Sequence, residues 1–166
     1  MNHLATSKED ILAASRDLIK ENGWAAVSIR AVASRCSVSA GTIYNYYESK
    51  ADLLSDTIES IWHEIFFHPE DEQVFHDVES CISWIYERLE YGNRQFPGFF
   101  SLHSFGFMRD EKTSGKKRMM KTWGHILNGL CEVLENDPKV RADVFDQEFT
   151  EKKFADILFS LILVSM

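Results

Sequence analysis

Residues 38–50 read VSAGTIYNYYESK, and this stretch decides the fold of the N-terminal part of the chain. Ser39 can begin a helix of barely two turns, because its hydroxyl oxygen can accept a hydrogen bond from a free N–H group at the helix start. A second capping sequence, Ser49-Lys50-Ala51-Asp52, predicts a long helix from about residue 50. This third helix is predicted to end near Tyr46 or Tyr47, so the tyrosines at 44, 46 and 47 lie at its C-terminal end.

Two more helices are predicted upstream of this stretch. The first begins with the capping box Ser7-Lys8-Glu9-Asp10 and ends at Asn22-Gly23, where both residues tolerate the left-handed conformation. Ser28 can cap the second, whose apolar residues at positions 29, 32, 33 and 36 share one face. Three short helices, the last two separated by a tight turn, are the outline of a helix-turn-helix.

A helix-turn-helix binds double-stranded DNA with its third helix in the major groove. Val38 and Ile43 are predicted to face inward and to hold the second and third helices together. Gly41 allows close approach of the backbone to DNA. The outer face of the third helix is then formed by four residues, Ala40, Thr42, Asn45 and Tyr46. Asparagine can pair with adenine, and methyl groups can contact thymine.

The rest of the chain has helical periodicity almost throughout and strand alternation almost nowhere, which predicts an all-α protein. A fifth helix is expected from about Asp71 to Tyr91, stopped by Gly92-Asn93. An aromatic segment follows from Pro97 to Met108, and then a polar loop from Asp110 to Lys117. Two long helices complete the prediction. One carries Trp123, Ile126, Leu127, Leu130, Val133 and Leu134 inward and is interrupted at Asp137-Pro138; the other is capped by Thr150, with Phe154, Ile157, Leu158, Leu161 and Ile162 inward.

The charge is divided unevenly along the 166 residues, whose formal net charge is −8. Residues 1–50 hold six basic and five acidic residues, a balance of +1, so residues 51–166 carry −9. Residues 1–50, called the head below, are thus nearly neutral, whereas the rest of the chain is acidic. Such a chain can contact a polyanion through its head alone. Three scattered cysteines, no signal sequence and no apolar run of transmembrane length predict a cytoplasmic protein.

The residues of this head resemble the DNA-binding signature of the TetR family of bacterial repressors. The resemblance rests on SIRAVA at 28–33, VSAGTIYNYYESK at 38–50 and Leu53-Leu54. It implies that Thr42, Tyr44 and Lys50 bind phosphates and that Arg30 reaches a base or a phosphate. The full set of DNA-binding residues expected is Ser28, Arg30, Ser39, Ala40, Gly41, Thr42, Tyr44, Asn45, Tyr46 and Lys50.

The resemblance also implies two parts, a helix-turn-helix domain at 1–50 and a helical ligand-binding and dimerisation domain at 51–166, linked by the fourth helix. Helices at about 117–136 and 150–166 would pair with those of a second copy, giving a homodimer on a palindromic operator. Aromatic residues would line a cavity for a small apolar or aromatic effector. The candidates are Trp62, Phe66, Trp84, Phe99, Phe100, His103, Phe107 and Trp123, although for any single aromatic residue a place in the core is the commoner role.

Other functions have less support in the sequence. The acidic balance favours one alternative, a helical interaction protein of the same fold that has lost operator binding. An enzyme is not expected, because no nucleophile elbow, Gly-rich phosphate loop or acid pair is present. The histidines at 63, 68, 76, 103 and 125 lack metal-binding spacing, so neither a metal nor a cofactor is expected.

Overall fold

The computed structural model describes residues 6–67, 75, 77–100 and 114–166, and for residues 114–122 the helical backbone alone. No strand occurs in these ranges, which confirms the all-α prediction. The helices are α1 (Lys8–Asn22), a 3-10 turn (Trp24–Ala26), α2 (Ile29–Arg35), α3 (Ala40–Tyr44), α4 (Lys50–Phe66), α5 (Val78–Gln95), α6 (Ser114–Asn136) and α7 (Glu151–Val164).

The predicted helix starts are confirmed by their capping hydrogen bonds. Ser7 accepts from the backbone N–H of Asp10 at 3.1 Å, and the Asp10 carboxylate accepts from the N–H of Ser7 at 2.9 Å. The same role belongs to the side chains of Ser28, Ser39, Ser49 and Thr150 at the starts of α2, α3, α4 and α7. Each cap satisfies an N–H group that has no partner inside its helix.

Helix α4 joins the N-terminal helices to the rest of the molecule. It packs against α1 on one side and against α5 and α6 on the other, while α7 packs on α6. Ile19 of α1, Leu53 of α4 and Leu130 of α6 are all completely buried. One continuous set of buried side chains therefore runs from the helix-turn-helix to the end of the described chain.

The predicted limits of α5 are wrong at both ends. The helix begins at Val78, after the extended N-cap residue Asp77, and continues through Gly92 to Gln95. Gly92 does not stop the helix but lies within it, where α5 crosses α4. A Cβ atom there would stand 2.5 Å from Cδ1 of Ile65 and 3.0 Å from its Cγ1.

The structure also corrects the expected surroundings of α6 and α7. Residues 114–117, predicted as loop, already belong to α6. Ile157 and Leu161 were expected to face inward, but they are 49% and 63% exposed. The buried face of α7 is instead formed by Ala155, Phe159, Ile162 and Leu163. The reason is that Phe159 packs on Trp123 of α6, with ring centroids 5.6 Å apart, and so turns Ile157 and Leu161 outward.

A polar clasp fastens the start of α5 to the end of α6. The buried Asp137 carboxylate accepts from the N–H of Val78 at 2.9 Å and from that of Lys139 at 2.8 Å. The Lys139 ammonium in turn donates to Asp77 at 3.0 Å. Hydrogen bonds from Ser80, reinforced by Lys139, hold the pKa of the Asp77 carboxyl well below its ordinary value. The clasp thus uses a buried carboxylate to satisfy an N–H group at the start of α5.

Within the described ranges, every helix is too short or too polar to cross a membrane.

Candidate nucleic-acid interface

The turn between α2 and α3 sets the direction of α3. The N–H of Val38 donates to the carbonyl of Ala33 at 2.9 Å, and the N–H of Ser37 donates to that of Ser34 at 3.1 Å. This pair of bonds is the Schellman pattern that closes a helix end. It requires a left-handed residue, and Ser37 adopts φ 56°. A residue with a Cβ atom is strained there by about 1 kcal/mol.

Replacing Ser37 with glycine is therefore expected to raise the free energy of unfolding by about 0.5–1 kcal/mol, because glycine adopts this conformation without strain. Urea unfolding followed by circular dichroism measures the change. Ser34→Gly is the matched control, since Ser34 is exposed and has helical geometry within α2. It should lower the stability by about 0.5 kcal/mol. A loss of stability in Ser37→Gly would contradict the strain argument.

Helix α3 presents its polar residues to solvent. Ile43 is completely buried and fixes the helix against the core, whereas Tyr44 is 55% exposed. Ser39 accepts from the N–H of Thr42 at 3.2 Å, and the two hydroxyl oxygens lie 3.0 Å apart. Gly41 and Asn45 are exposed as well, while Ala40 and Thr42 are partly buried. The predicted contact residues of α3 thus lie around one buried anchor.

The expected outward position of Tyr46 is wrong for its hydroxyl group. That hydroxyl donates to the backbone carbonyl of Thr6 at 2.7 Å, and the ring is partly buried. The next residue, Tyr47, is buried among the helices, with the ammonium of Lys8 5.5 Å from its ring centroid. Tyr46 therefore holds the segment before α1 against the end of α3.

The basic residues of the head fall into two groups. Four of them are paired: Lys8 with Asp56 at 2.6 Å, Arg16 and Lys20 with Glu64 at 3.0 and 2.7 Å, and Arg35 with Glu21. The Arg35 guanidinium also lowers the pKa of the Glu21 carboxyl. By contrast, Arg30 and Lys50 are exposed and form no ion pair with any residue that the structure describes. Arg30 lies in the first turn of α2, and Lys50 begins α4.

The predicted effector residues separate into a packed cluster and a cavity wall. The ring of Trp62 lies 5.3–5.8 Å from four others, Phe66, Phe99, Phe100 and Trp123. These rings fill space in the core. Only Phe66 and Trp84 of the predicted set line the adjacent cavity, while His103 and Phe107 lie outside the described residues.

This cavity lies between α4, α5 and α6 and has a volume of about 130 Å³. Its wall is formed by Phe66, Phe67, Phe75, Cys81, Trp84, Ile85, His125, Ile126, Gly129 and Leu130. His125 was not singled out from the sequence as a cavity residue. Its ring centroid lies 6.1 Å from that of Phe67, which stacks on His63 at 5.0 Å. In the described ranges, no three His, Cys, Asp or Glu side chains come together as a metal site.

The sequence of the head is similar to that of known regulators. Residues 11–57 match the family model described as bacterial regulatory proteins, tetR family. The HTH-type transcriptional regulator UidR of Escherichia coli K12 is 38% identical over 48 residues, which are 29% of this chain and 24% of that protein. The HTH-type transcriptional repressor KstR of Rhodococcus jostii is 45% identical over 47 residues, 28% and 22% of the two chains. The match therefore spans about a quarter of these curated relatives.

Solved structures share the fold over nearly the whole chain. A TetR transcription regulator from Haloarcula marismortui aligns with a TM-score of 0.70 and 20% identity, over 93% of this chain and 81% of its own. The transcriptional regulator FadR from Bacillus subtilis aligns with a TM-score of 0.64 and 20% identity, over 96% and 84%. Residues 11–57 of this chain therefore have the helix-turn-helix sequence of the tetR family, and the described chain shares the all-helical fold of these solved regulators.

Proposed function

We propose that this protein is a transcriptional repressor that binds a palindromic DNA operator as a homodimer. The observation that carries the proposal is the pairing of charges in the head. Arg30 and Lys50 form no ion pair among the described residues, while the other four bases of the head do. An unpaired cation can neutralise a phosphate and release its counterions, whereas a paired one must first break an ion pair.

The side chains near α3 would have different roles in DNA binding. Phosphates would be bound by Lys50, Thr42 and Tyr44, which would fix the register of the protein on the duplex. Ser28 and Ser39 would lie close to the same DNA strands. Asn45 would reach a base edge, and Ala40 and Gly41 would allow the backbone to approach the groove. Phosphate contacts position a protein on DNA, and base contacts specify the sequence. Tyr46 would support the interface through its bond to Thr6.

An exposed apolar stripe on α7 supports the dimer. Ile157, Leu161 and Val164 follow each other at intervals of four and three residues and are 49%, 63% and 84% exposed. Such a stripe favours packing against another helix. We infer that α6 and α7 form a four-helix bundle with those of a second copy. Two copies of α3 would then enter successive major grooves, about 34 Å apart.

The cavity between α4, α5 and α6 is the proposed effector site. Apart from His125 its wall is apolar and aromatic, which suits an apolar or aromatic ligand. A cavity of this size can hold a group about as large as benzene. FadR from Bacillus subtilis was solved in complex with stearoyl-CoA, which supports an apolar ligand group for this chain too. The effector would act by binding one orientation of α4 more tightly than another.

Operator binding can be tested with DNA selected from a pool of random duplexes. Fluorescence anisotropy with the selected duplex should give two protein copies per palindrome and an affinity that falls steeply with salt. Binding without any sequence preference, or no binding at all, would overturn the proposal. That outcome would favour the alternative of a helical interaction protein that lacks operator binding.

Asn45→Ala is expected to reduce the free energy of discrimination between bases by about 1–3 kcal/mol at one position in each half-site. The reason is that the Asn45 side chain is exposed at the end of α3. Repeating the selection with the variant gives the new preference profile. Glu48→Ala, at an exposed residue beyond α3, is the control and should keep the wild-type profile. An unchanged profile in Asn45→Ala would show that other residues read the bases.

A further inference from the structure

A larger cavity lies outside the candidate effector site, where α5 begins and α6 ends. Its volume is about 630 Å³, against about 130 Å³ for the cavity between α4, α5 and α6, and the two share no wall residue. Helix α5 separates them, because Cys81 and Ile85 line the smaller cavity, whereas Val78 and Ile82 line the larger one. Ligand sites typically have volumes of about 300–1,000 Å³, so the larger cavity can hold a whole small molecule.

Three phenylalanine rings form one side of the larger cavity. The ring centroids of Phe145, Phe149 and Phe154 lie 5.8–6.1 Å from one another. Aliphatic side chains complete the apolar wall: Val78, Ile82, Leu134, Val140 and Val144. At its edge, Val144 and Phe149 are 41% and 38% exposed. Covering such a surface removes apolar area from water, so the wall favours a ligand with an apolar body.

The loop that carries these rings is held by its own hydrogen bonds. Oδ1 of Asp146 accepts from the N–H groups of Glu148 and Phe149 at 2.8 and 2.7 Å, and the N–H of Asp146 donates to the carbonyl of Phe149 at 3.0 Å. The ammonium of Lys153 on α7 donates to the carbonyl of Glu148 at 2.6 Å. The clasp described above holds the other end of the loop to α5. The wall is therefore preformed, and a ligand does not have to order it.

The edge of the larger cavity is acidic. It adjoins a polar recess lined by Asp77, Glu79, Ser80, Ser83, Trp84 and Glu87, and Glu79 and Ser83 line both. The two walls together hold four carboxylates and two basic groups. Both bases are engaged, because Lys139 donates to Asp77 at 3.0 Å and Arg141 lies 3.1 Å from Asp143. Glu79 is exposed and forms no ion pair with any residue in the described ranges.

We propose that the larger cavity is a second binding site, which takes an amphipathic cation: a small molecule with an apolar body and one protonated amine. The body lies between the three rings and α5, and the amine lies at the edge beside the Glu79 carboxylate. An anionic ligand is disfavoured there, because the two walls carry more negative than positive charge. Binding at this site requires neither DNA nor the smaller cavity, so it is independent of the repressor function proposed above.

An NMR titration of the full chain with three probes of one shape tests the site: phenylbutylamine, phenylbutanol and phenylbutyrate. The backbone amides of residues 78–83 and 140–149 should shift, with a dissociation constant of about 1 mM for the amine. The amine should bind about fivefold more tightly than the alcohol, because only the amine gains an ion pair with Glu79. The carboxylate probe should bind more weakly than the alcohol.

Glu79→Gln should reduce the affinity for the amine to that for the alcohol and leave the affinity for the alcohol unchanged. Glu132→Gln is the matched control, since Glu132 is exposed on α6 and lines neither cavity, and it should retain the preference for the amine. Val144→Trp fills the cavity from its exposed edge and should weaken the binding of all three probes about tenfold. Phe149→Ser, which removes one ring of the wall, replaces it if that variant fails to fold.

Three results would overturn the second site. The first is a set of shifts confined to residues that line the smaller cavity. The second is an equal affinity for the three probes, or a preference for the amine that Glu79→Gln retains. The third is the absence of shifts at about 10 mM probe, well above the expected dissociation constant. A partner copy that covers the cavity would give this third result.

Discussion

Replacing Lys50 with alanine is expected to weaken operator binding about tenfold per half-site, and so up to about a hundredfold for a dimer. Lys50 begins α4, is exposed and forms no ion pair with any described residue, so its charge is available to a phosphate. The loss should be nearly uniform across DNA sequences. The slope of log affinity against log salt should fall by about one for each half-site.

Anisotropy titrations at several salt concentrations measure both effects for Lys50→Ala. Lys152→Ala is the matched control, because it removes the same charge from an exposed position on α7. Its affinity and salt slope should stay close to those of the wild type. If the two variants weaken binding equally, Lys50 acts only through the net charge of the protein, and the proposed phosphate contact is wrong.

Gly92→Ala is expected to lower the free energy of unfolding by about 2 kcal/mol. Alanine is favoured over glycine in a helix by about 1 kcal/mol, so a stabilised protein would be expected if the site were open. The site is closed instead. The new Cβ would lie 2.5 Å from Cδ1 of Ile65, which is completely buried, and 3.2 Å from Cζ of Phe100. Either the buried Ile65 side chain would have to leave its packed rotamer or the two helices would have to separate at their crossing.

Gly129→Ala makes the same substitution in α6 at a site with no atom within 4 Å of the new Cβ. It should raise the free energy of unfolding by about 0.5–1 kcal/mol. Urea unfolding of the two variants should therefore give changes of opposite sign. Ile65→Val, which deletes Cδ1, should reduce the cost of Gly92→Ala when the two are combined. Stabilisation by Gly92→Ala alone would refute the close approach of α4 and α5.

Features set by neighbouring residues could be predicted from the sequence. A cap such as Ser39 needs only the N–H group of Thr42 three positions later, so a short stretch of sequence is enough to predict it. The same holds for the left-handed end of α1 at Gly23, with φ 76°. The helix-turn-helix was predictable because every boundary in it is local.

Features that depend on distant partners could not be predicted. In the sequence Gly92 resembles a helix stop, and only the structure shows that it lies within α5 against Ile65 of α4. The hydroxyl of Tyr46 is turned from the outer face by the carbonyl of Thr6, 40 residues away. Apolar residues occur on more than one side of α7, so the sequence alone did not separate the face toward α6 from the stripe at Ile157 and Leu161.

Only the fold shows which bases of the head are ion-paired and which aromatic rings line the cavity. The sequence shows six bases in the head but cannot show which are neutralised. Asp56 and Glu64, both on α4, pair with three of them. This leaves Arg30 and Lys50 as the two bases of residues 1–50 that form no ion pair with a described residue. In the same way, only the packing of α4, α5 and α6 separates the rings that fill the core from those that line the cavity.

The clasp between Asp137 and Val78 has a consequence for how this part of the chain can change in evolution. It fixes the beginning of α5 to the end of α6, so the chain between them forms a closed loop anchored at its base. The entropic cost of closing a loop rises by only about 0.6 kcal/mol when its length doubles. A change in the number of residues that join α5 to α6 therefore costs little by itself, provided that the completely buried Phe96 and Phe99 stay in the core, and it does not move the two helix ends that the clasp holds together.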